Sequence, residues 1–253
     1  LTAMGEAGID RIWIRPGTRL TVAPPQRRAE PAAAKSTGVE SPRQDALTAL
    51  AAEAAAAPEP RALGTLRETF VFGTGNPHAR LVFVGEAPGQ EEERLGMPFV
   101  GPAGELLNKS LTAMGLARKD VYITNVVKYR PATGEAAQGS ANRKPSPEEI
   151  AACLPTLKQE LAILQPEVLV ALGGSALAAL TGNPDAKIGQ ARGKFVDFAG
   201  VPMLATFHPS YLLRQQGEDA TRREKRKFWE DLLLVMERLQ MPISAKQRGY
   251  FTK

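Results

Sequence analysis

Short apolar runs, most of them ending in a turn, alternate with helix-like segments through most of this chain. Buried strands are predicted at 81–89, 121–131 and 201–210, and 166–180 reads as a strand, a Gly turn and then a helix. A weaker run at 193–200 reads as a strand or a hairpin arm. Continuous apolar runs are typical of strands buried on both faces. Strands alternating with helices predict an α/β fold, a three-layer α/β/α sandwich with a short, mainly parallel central sheet.

The segments between these runs have helical spacing and helix-end signals. Residues 103–116 carry apolar side chains at helical spacing, with a glycine near the end. Residues 146–165 start with Ser146 as a cap and Pro147 at the first helical position, a strong helix start. Residues 223–240 have the amphipathic pattern of a closing helix.

The chain divides into three parts by composition. Residues 1–65 are predicted to be an N-terminal extension, partly linker-like because it has too little apolar surface to offset the entropy of ordering. Within it, 41–57 predict an Ala-rich helix, and alternating residues at 9–15 predict a short strand. The main domain is predicted at 66–240, and 241–253 form a C-terminal tail.

Composition excludes several classes of site. The single cysteine, Cys153, cannot form an internal disulfide or hold an iron–sulfur cluster, which normally takes about four thiolates. With only two histidines, His78 and His208, a structural zinc site is nearly excluded. No apolar run is long enough to span a membrane, and Leu1 to Arg15 lack the apolar segment of a signal peptide. The net charge of +5 permits a polyanionic partner.

Ligands of open α/β sheets bind beyond the carboxyl ends of the strands, and the first loop at such an end is residues 85–107. It reads GEAPGQEEERLGMPFVGPAGELL and holds Glu86, an acidic cluster and Phe99. An aromatic residue on a Gly-rich loop suits stacking on a flat ligand such as a base. The alternative is a tight strand-to-helix turn with solvated glutamates.

The second loop opens with Asn125. A buried asparagine offers one acceptor and two donors, which suits the imide N–H and carbonyl of a pyrimidine. The alternative is an asparagine that caps a turn. The segment that follows is basic and glycine-containing, and four of its side chains are candidates for phosphate contacts. These are Lys128, Arg130, Arg143 and Lys144. Residues 134–141 equally fit a solvated insertion.

The third loop, FHPSYLLR, places His208 after an apolar run and before a rigid turn. A histidine there can donate to charge that develops on a leaving base, although a lone histidine is often structural. The apolar residues Leu212 and Leu213 suit either a wedge that fills the gap left by a flipped nucleotide or a place in the core. A basic cluster at 222–227 suits contact with DNA backbone or simply a charged helix start.

These motifs together resemble the uracil-DNA glycosylase superfamily, and most closely its family-four, iron–sulfur type. The likeness covers roughly residues 68–240. It rests on the first and third loops and on ITNVVKYRP and NRKPSPEEIAACLP between them. The resemblance implies a short parallel sheet between helices. It also implies an enzyme that flips a damaged base out of DNA and cuts its N-glycosidic bond with water, with no metal in the chemistry.

The resemblance also implies roles for individual residues. Glu86 and Glu92 would position or activate water and steady the sugar's positive charge, and His208 would donate to the leaving uracil. Phe99 would stack on uracil and Asn125 would read its polar edge. The resemblance also implies uracil contact by Asn142 and intercalation by Leu212. From the residues themselves we expect DNA contact by Lys128, Arg130, Arg143, Ser210 and Arg214.

The cluster is where the chain departs from this family. The family has two ligand cysteines upstream of the first loop, and this chain has none there. A third position is Tyr129, and only Cys153 matches a ligand. We therefore expect no cofactor and no metal site, with Tyr129 filling part of the space of the cluster. A related branch traps its product through a histidine in the inserted loop; residues 132–141 have none, so we do not expect that chemistry.

The leading hypothesis is a monofunctional uracil-DNA glycosylase of base excision repair, which leaves an abasic site. The alternatives are a protein that grips uracil-containing or abasic DNA with little turnover, and an enzyme for another deaminated base. Expected partners are uracil-containing DNA and its abasic product, with no membrane and a monomeric protein. The expected location is the cytoplasm, in a bacterial-type cell and near the nucleoid.

Overall fold

A computed structural model describes residues 41–133 and 142–251. The strand predicted at 9–15, most of the predicted linker and the loop at 134–141 lie outside the described residues. The Ala-rich helix lies inside them and is confirmed as α1 (Pro42–Ala56). Ser41 caps α1 through its hydroxyl, which accepts from the Gln44 amide.

A six-stranded sheet forms the middle layer, in the order β1-β3-β2-β4-β6-β5. Its strands are β1 (Thr74–Gly75), β2 (Leu81–Gly85), β3 (Tyr122–Asn125), β4 (Val168–Leu172), β5 (Phe195–Phe198) and β6 (Val201–Thr206). The four central strands are parallel, and the two edge strands are antiparallel to their neighbours. The mainly parallel sheet is therefore confirmed. The weak run at 193–200 is the hairpin arm, because β5 pairs with β6.

Helices cover both faces of the sheet. They are α2 (Pro58–Ala62), α3 (Gln90–Leu95), α4 (Pro102–Met114), α5 (Pro147–Leu164), α6 (Gly174–Thr181), α7 (Ile188–Ala191), α8 (Pro209–Leu213), α9 (Glu218–Arg238) and α10 (Ala245–Arg248), and a 3-10 helix spans Arg118–Asp120. No helix of the described residues is both long and apolar enough to cross a bilayer.

The alternation of side chains along β2 builds two separate cores. Val82 and Val84 face one side, where α1, α5 and α6 supply the packing partners. Leu81 and Phe83 face the other side, where α4, α8 and α9 supply theirs. This arrangement confirms the three-layer sandwich.

Strand register brings the loops of interest to one edge. Gly85, the last residue of β2, lies opposite Asn125, the last residue of β3. Leu172 at the end of β4 lies opposite Thr206 at the end of β6. All four strands run in the same direction, so Glu86, Asn125 and His208 leave the sheet at the same edge.

Candidate active site

Phe99 and Asn125 meet over Gly85. A methyl group built on Gly85 would lie 2.3 Å from the Asn125 Oδ1 atom and 2.5 Å from ring atoms of Phe99. These distances are far below van der Waals contact, so only glycine allows the two side chains to meet over the end of β2. The structure thus brings together the two residues predicted to stack on uracil and to read its edge.

Asn125 carries an unsatisfied acceptor. Its side chain is 2% exposed, and its Oδ1 atom has no hydrogen-bond partner among the described residues. A buried polar atom without a partner costs about 1–3 kcal/mol, so such an atom beside an aromatic ring marks a place for a ligand donor.

Phe99 is held in an unusual backbone conformation. Its φ is +52°, in the left-handed region that bulky residues rarely adopt. Its ring lies 5.5 Å from the His208 ring, between centroids, at an interplanar angle of 34°. Phe99 therefore connects the first loop to the third and borders both Asn125 and His208.

His208 is oriented by the turn that follows it. Its Nδ1 atom accepts from the Ser210 amide at 3.2 Å and contacts the Ser210 hydroxyl at 2.8 Å. Because the amide must donate, the proton of the neutral ring lies on Nε2. Burial, and to a smaller extent the charge of Arg214, lowers the pKa of His208 to about 4. At neutral pH the side chain is a neutral N–H donor.

Glu86 follows β2 and is partly buried. Burial raises its pKa, whereas a hydrogen bond from Ser175 and the charges of Lys144 and Arg214 lower it. These contacts bring the amino end of α6 to Glu86. Ser175 is not among the residues predicted from the sequence, although the Gly-Gly-Ser turn directly after a buried strand indicates a fourth loop at this edge.

Glu92 joins the two arms of the first loop. Its Oε2 atom accepts from the Gly89 amide at 3.1 Å, and its Oε1 atom accepts from the amides of Val100 and Gly101 at 2.9 and 2.8 Å. This geometry gives Glu92 a structural task in the loop. Its catalytic role stays a prediction.

Asn142 lies beside the first loop. Its side chain accepts from the Arg130 Nε atom at 3.1 Å, and its Nδ2 atom would lie 3.2 Å from a methyl group on Gly89. The residue is exposed at this place. Its contact with uracil stays a prediction.

The prediction that Lys128 binds DNA is wrong. Its side chain is 1% exposed, and the Nζ atom lies 2.6 Å from Glu160 Oε2 and 2.6 Å from Thr124 Oγ1. If Lys128 left this site, the buried Glu160 carboxylate would lose its cationic partner, which is strongly destabilising. The lysine therefore belongs to the core under the sheet.

Two further basic side chains that were predicted to bind phosphates form ion pairs within the protein instead. Arg130 is 5% exposed and lies 3.0 Å from the Glu93 carboxylate. Arg143 forms a two-pronged ion pair with Glu149, and its other N–H groups donate to three carbonyl oxygens. Since a guanidinium has five N–H donors, Arg143 has none left for a phosphate. The DNA-binding prediction is wrong for both.

The predicted wedge is also corrected. Leu212 is 1% exposed and packs in the core, on a helix that contacts α4 and α9, whereas Leu213 is 49% exposed and Tyr211 is 37% exposed. On a helix, neighbouring positions point in different directions, so only one of two adjacent leucines faces the core. Ser210 and Arg214 stay next to His208, with the Arg214 guanidinium 3.3 Å from the Ser210 hydroxyl.

The residues present do not fit an iron–sulfur cluster. The chain has a single cysteine, Cys153, which is buried, and burial raises the pKa of its thiol. Tyr129 is 1% exposed, with its ring 5.4 Å from that of Phe70. Within the described part of the chain, no three His, Cys, Asp or Glu side chains are grouped as metal ligands would be. A cluster that normally needs about four thiolates has no ligand set here.

Comparison with known proteins shows the family of the chain. The family model of the uracil DNA glycosylase superfamily matches residues 72–233. A Type-4 uracil-DNA glycosylase of Thermotoga maritima is 45% identical over 157 residues, covering 62% of this chain and 78% of the relative. A Type-4 uracil-DNA glycosylase of Pyrobaculum aerophilum is 42% identical, covering 59% and 76%. One of Archaeoglobus fulgidus is 40% identical, covering 58% and 73%. With its family model matched over most of the chain, the protein belongs to the uracil DNA glycosylase superfamily.

Proposed function

We propose that this protein removes uracil from DNA by hydrolysing the N-glycosidic bond, as a monofunctional glycosylase that leaves an abasic site. The observation that carries this proposal is the buried, unpartnered Oδ1 atom of Asn125 beside the ring of Phe99. The names of the relatives, Type-4 uracil-DNA glycosylases, support the same substrate.

Recognition of uracil follows from the amide of Asn125. Uracil presents an N3–H donor next to the O4 carbonyl. The Asn125 Oδ1 atom accepts from N3–H while its Nδ2 group donates to O4. Cytosine has an unprotonated N3 at the same position, which would face the Oδ1 atom with two lone pairs and no proton. Stacking on Phe99 adds affinity for a flat ring and leaves the choice of base to Asn125.

Departure of uracil requires stabilisation of negative charge. When the C1′–N1 bond breaks, its electron pair stays with uracil and the charge spreads to the carbonyl oxygens. The Nε2–H group of His208 donates to one of these oxygens. A neutral, preoriented donor contributes to such a step because it needs no reorganisation as charge develops.

Hydrolysis is completed by water attack at C1′. The water oxygen forms the new bond to C1′, and Glu86 accepts the released proton. The raised pKa of Glu86 makes it a better base than an exposed carboxylate. Its charge also steadies the positive charge that develops on the sugar.

For uracil to reach Asn125 and Phe99, its nucleotide must leave the duplex. We assign the contact with DNA to the surface formed by Tyr211, Leu213 and Arg214, which stands next to His208 and exposes both apolar and cationic groups. An apolar side chain here can fill the space left by the flipped nucleotide. The uracil-containing strand and its abasic product are the partners of a protein that acts as a monomer.

A single-turnover assay with protein in excess over a uracil-containing oligonucleotide tests the proposal. We expect release of free uracil and an abasic strand that alkali cleaves. No release by the wild type would overturn it. Turnover that stops at one equivalent, with a gel shift that persists after base removal, would favour tight product binding. A panel with hypoxanthine and xanthine separates uracil from other deaminated bases.

A further inference from the structure

Arg118 reaches the backbone of Phe99 from outside the predicted motifs. It lies in the 3-10 helix ahead of β3, and its guanidinium donates to the carbonyl oxygens of both Pro98 and Phe99, at 2.9 Å for Phe99. A weaker contact of 3.4 Å joins it to Asn108 on α4. The guanidinium is partly buried among these groups.

The peptide group after Phe99 is held from both sides. Its carbonyl oxygen accepts from Arg118, and its amide, that of Val100, donates to Glu92 at 2.9 Å. Gly104 closes the third side, because a methyl group there would lie 1.9 Å from the Phe99 carbonyl oxygen. The side chains of Arg118 and Glu92 thus fix the orientation of one peptide plane, and the lack of a side chain at Gly104 leaves room for it.

The contacts of Arg118 and Glu92 hold the chain at a residue whose backbone conformation is unfavourable. Phe99 has a φ of +52°, which a bulky residue leaves unless its surroundings prevent it. A change of that angle would swing the ring away from Gly85 and Asn125. The orientation of the stacking ring therefore depends on contacts to the main chain rather than on the ring's own packing alone.

We propose that Arg118 is a positioning residue of the glycosylase, which holds Phe99 in its left-handed conformation so that the ring forms the stacking face for the flipped base. The inference rests on the proposed function, in which Phe99 stacks on uracil. Arg118 does not itself touch the substrate. Its fork bridges two adjacent carbonyl oxygens, a geometry that lysine cannot reproduce.

A double-mutant cycle tests this role. We expect Arg118→Ala to slow single-turnover uracil release by about 10- to 100-fold, because misplacing a positioning contact costs rates of this order. In a Phe99→Ala background the same change should cause little further loss, because the ring it positions is gone. Arg118→Lys should resemble Arg118→Ala, and Lys119→Ala, which removes a neighbouring exposed charge, should cleave like the wild type.

The outcomes separate the inference from the function. An active wild type with an equally active Arg118→Ala variant overturns the role of Arg118 and leaves the function intact. Losses that multiply in the double variant also overturn it. If the wild type releases no uracil, the proposed function fails, and a crystal structure of Arg118→Gln still tests whether Arg118 holds the backbone of Phe99. A Phe99 φ that leaves the left-handed region supports it, and an unchanged φ contradicts it.

Discussion

At the scale of single residues, the side-chain amide of Asn125 is the group best placed to select a ligand by hydrogen bonding. It is buried, it faces an aromatic ring and its oxygen has no partner within the described structure. A buried acceptor without a partner selects for a ligand that donates a hydrogen bond to it. A ligand without that donor leaves the acceptor unsatisfied, and the free-energy cost of burying it remains.

Asn125→Asp should weaken the selection of uracil. The carboxylate has a second acceptor oxygen in place of the NH₂ group and no N–H donor, so O4 of uracil loses its partner. We expect uracil excision to fall by about 10²- to 10³-fold, the range for loss of one well-placed donor in comparable sites. The measurement is the single-turnover rate on uracil and cytosine oligonucleotides. Asn183→Asp, on an exposed loop away from the site, serves as the control. An unchanged ratio of the two rates would refute the assignment.

At the same scale, several ion pairs explain why prediction of DNA contacts failed. Lys128 and Arg143 follow a buried strand and precede a helix start, a context that predicts phosphate ligands. Their partners, Glu160 and Glu149, lie on α5, and the Lys128–Glu160 pair spans 32 positions of sequence. A pairing across that distance leaves no local signal. The pattern that did succeed was local: polar residues directly after apolar strands.

At the scale of elements, the meeting of β2 and α6 sets the protonation of Glu86. Burial raises the pKa of this carboxyl above its ordinary value, and the hydrogen bond from Ser175 opposes that rise. The pKa of His208 is about 4, so this side chain is neutral above that pH and does not change its charge between pH 5 and 8. In the proposed mechanism Glu86 must be ionised to accept the proton of water, so we expect it to set the acid limb of activity.

Ser175→Ala should move that limb to higher pH. Removing a hydrogen bond that favours the charged form raises the pKa of Glu86 further, so activity should be lost earlier as the pH falls. Single-turnover rates measured across pH 4 to 8 (about the range in which carboxyls and His titrate) report the shift. Ser175→Thr keeps the hydroxyl and should retain the wild-type profile. A limb that stays in place in Ser175→Ala would disprove the coupling.

The two leucines of α8 should separate stability from DNA contact. Leu212→Ala should lower the free energy of unfolding by about 2–5 kcal/mol, as expected for a leucine in a packed core. Leu213→Ala should leave Tm unchanged and slow excision from duplex DNA more than from single strands, where no base pair must be opened. Thermal unfolding and paired excision assays check both. The reverse pattern would restore Leu212 as the residue that enters DNA.

Elements were far more predictable than the orientation of their side chains. Continuous apolar runs predict β2 and β4, and helical spacing with helix-end signals predicts α5 and α9, because the physical causes are local. Which of two adjacent leucines faces inward on α8 depends on how the helix packs against α4 and α9. Both candidates are apolar, so composition cannot choose between them. Arg118 could not be predicted as part of the candidate site for a related reason. Its partners are main-chain carbonyl groups, which no sequence motif reveals.

At the scale of the whole molecule, this chain lacks three of the four cysteines that the family resemblance gives to a cluster. Tyr129, Phe70 and Phe72 form an aromatic group in the place that the family resemblance gives to a cluster ligand, and a cavity of about 530 Å³ adjoins Tyr129. The buried Lys128–Glu160 pair lies beside them, with the ammonium 5.4 Å from the Phe72 ring centroid. That Tyr129 replaces part of a cluster's volume stays a prediction.

Protein produced and purified without oxygen should contain no bound iron and show no visible absorption band. Cys153→Ala should keep the excision rate of the wild type, because the thiol is buried and lies outside the proposed chemistry. Metal analysis, absorption spectra and the single-turnover assay check these expectations together. Stoichiometric iron, lost along with activity in Cys153→Ala, would show that this cysteine is a ligand after all.

The two edge strands of the sheet affect whether copies of the protein can associate. β1 has only two residues and β5 only four, and each is antiparallel to the strand it borders. Short edge strands offer few free backbone groups to a strand from another molecule, which is how many proteins avoid pairing with copies of themselves. Such edges disfavour strand pairing between copies of the protein, which supports the monomer proposed above.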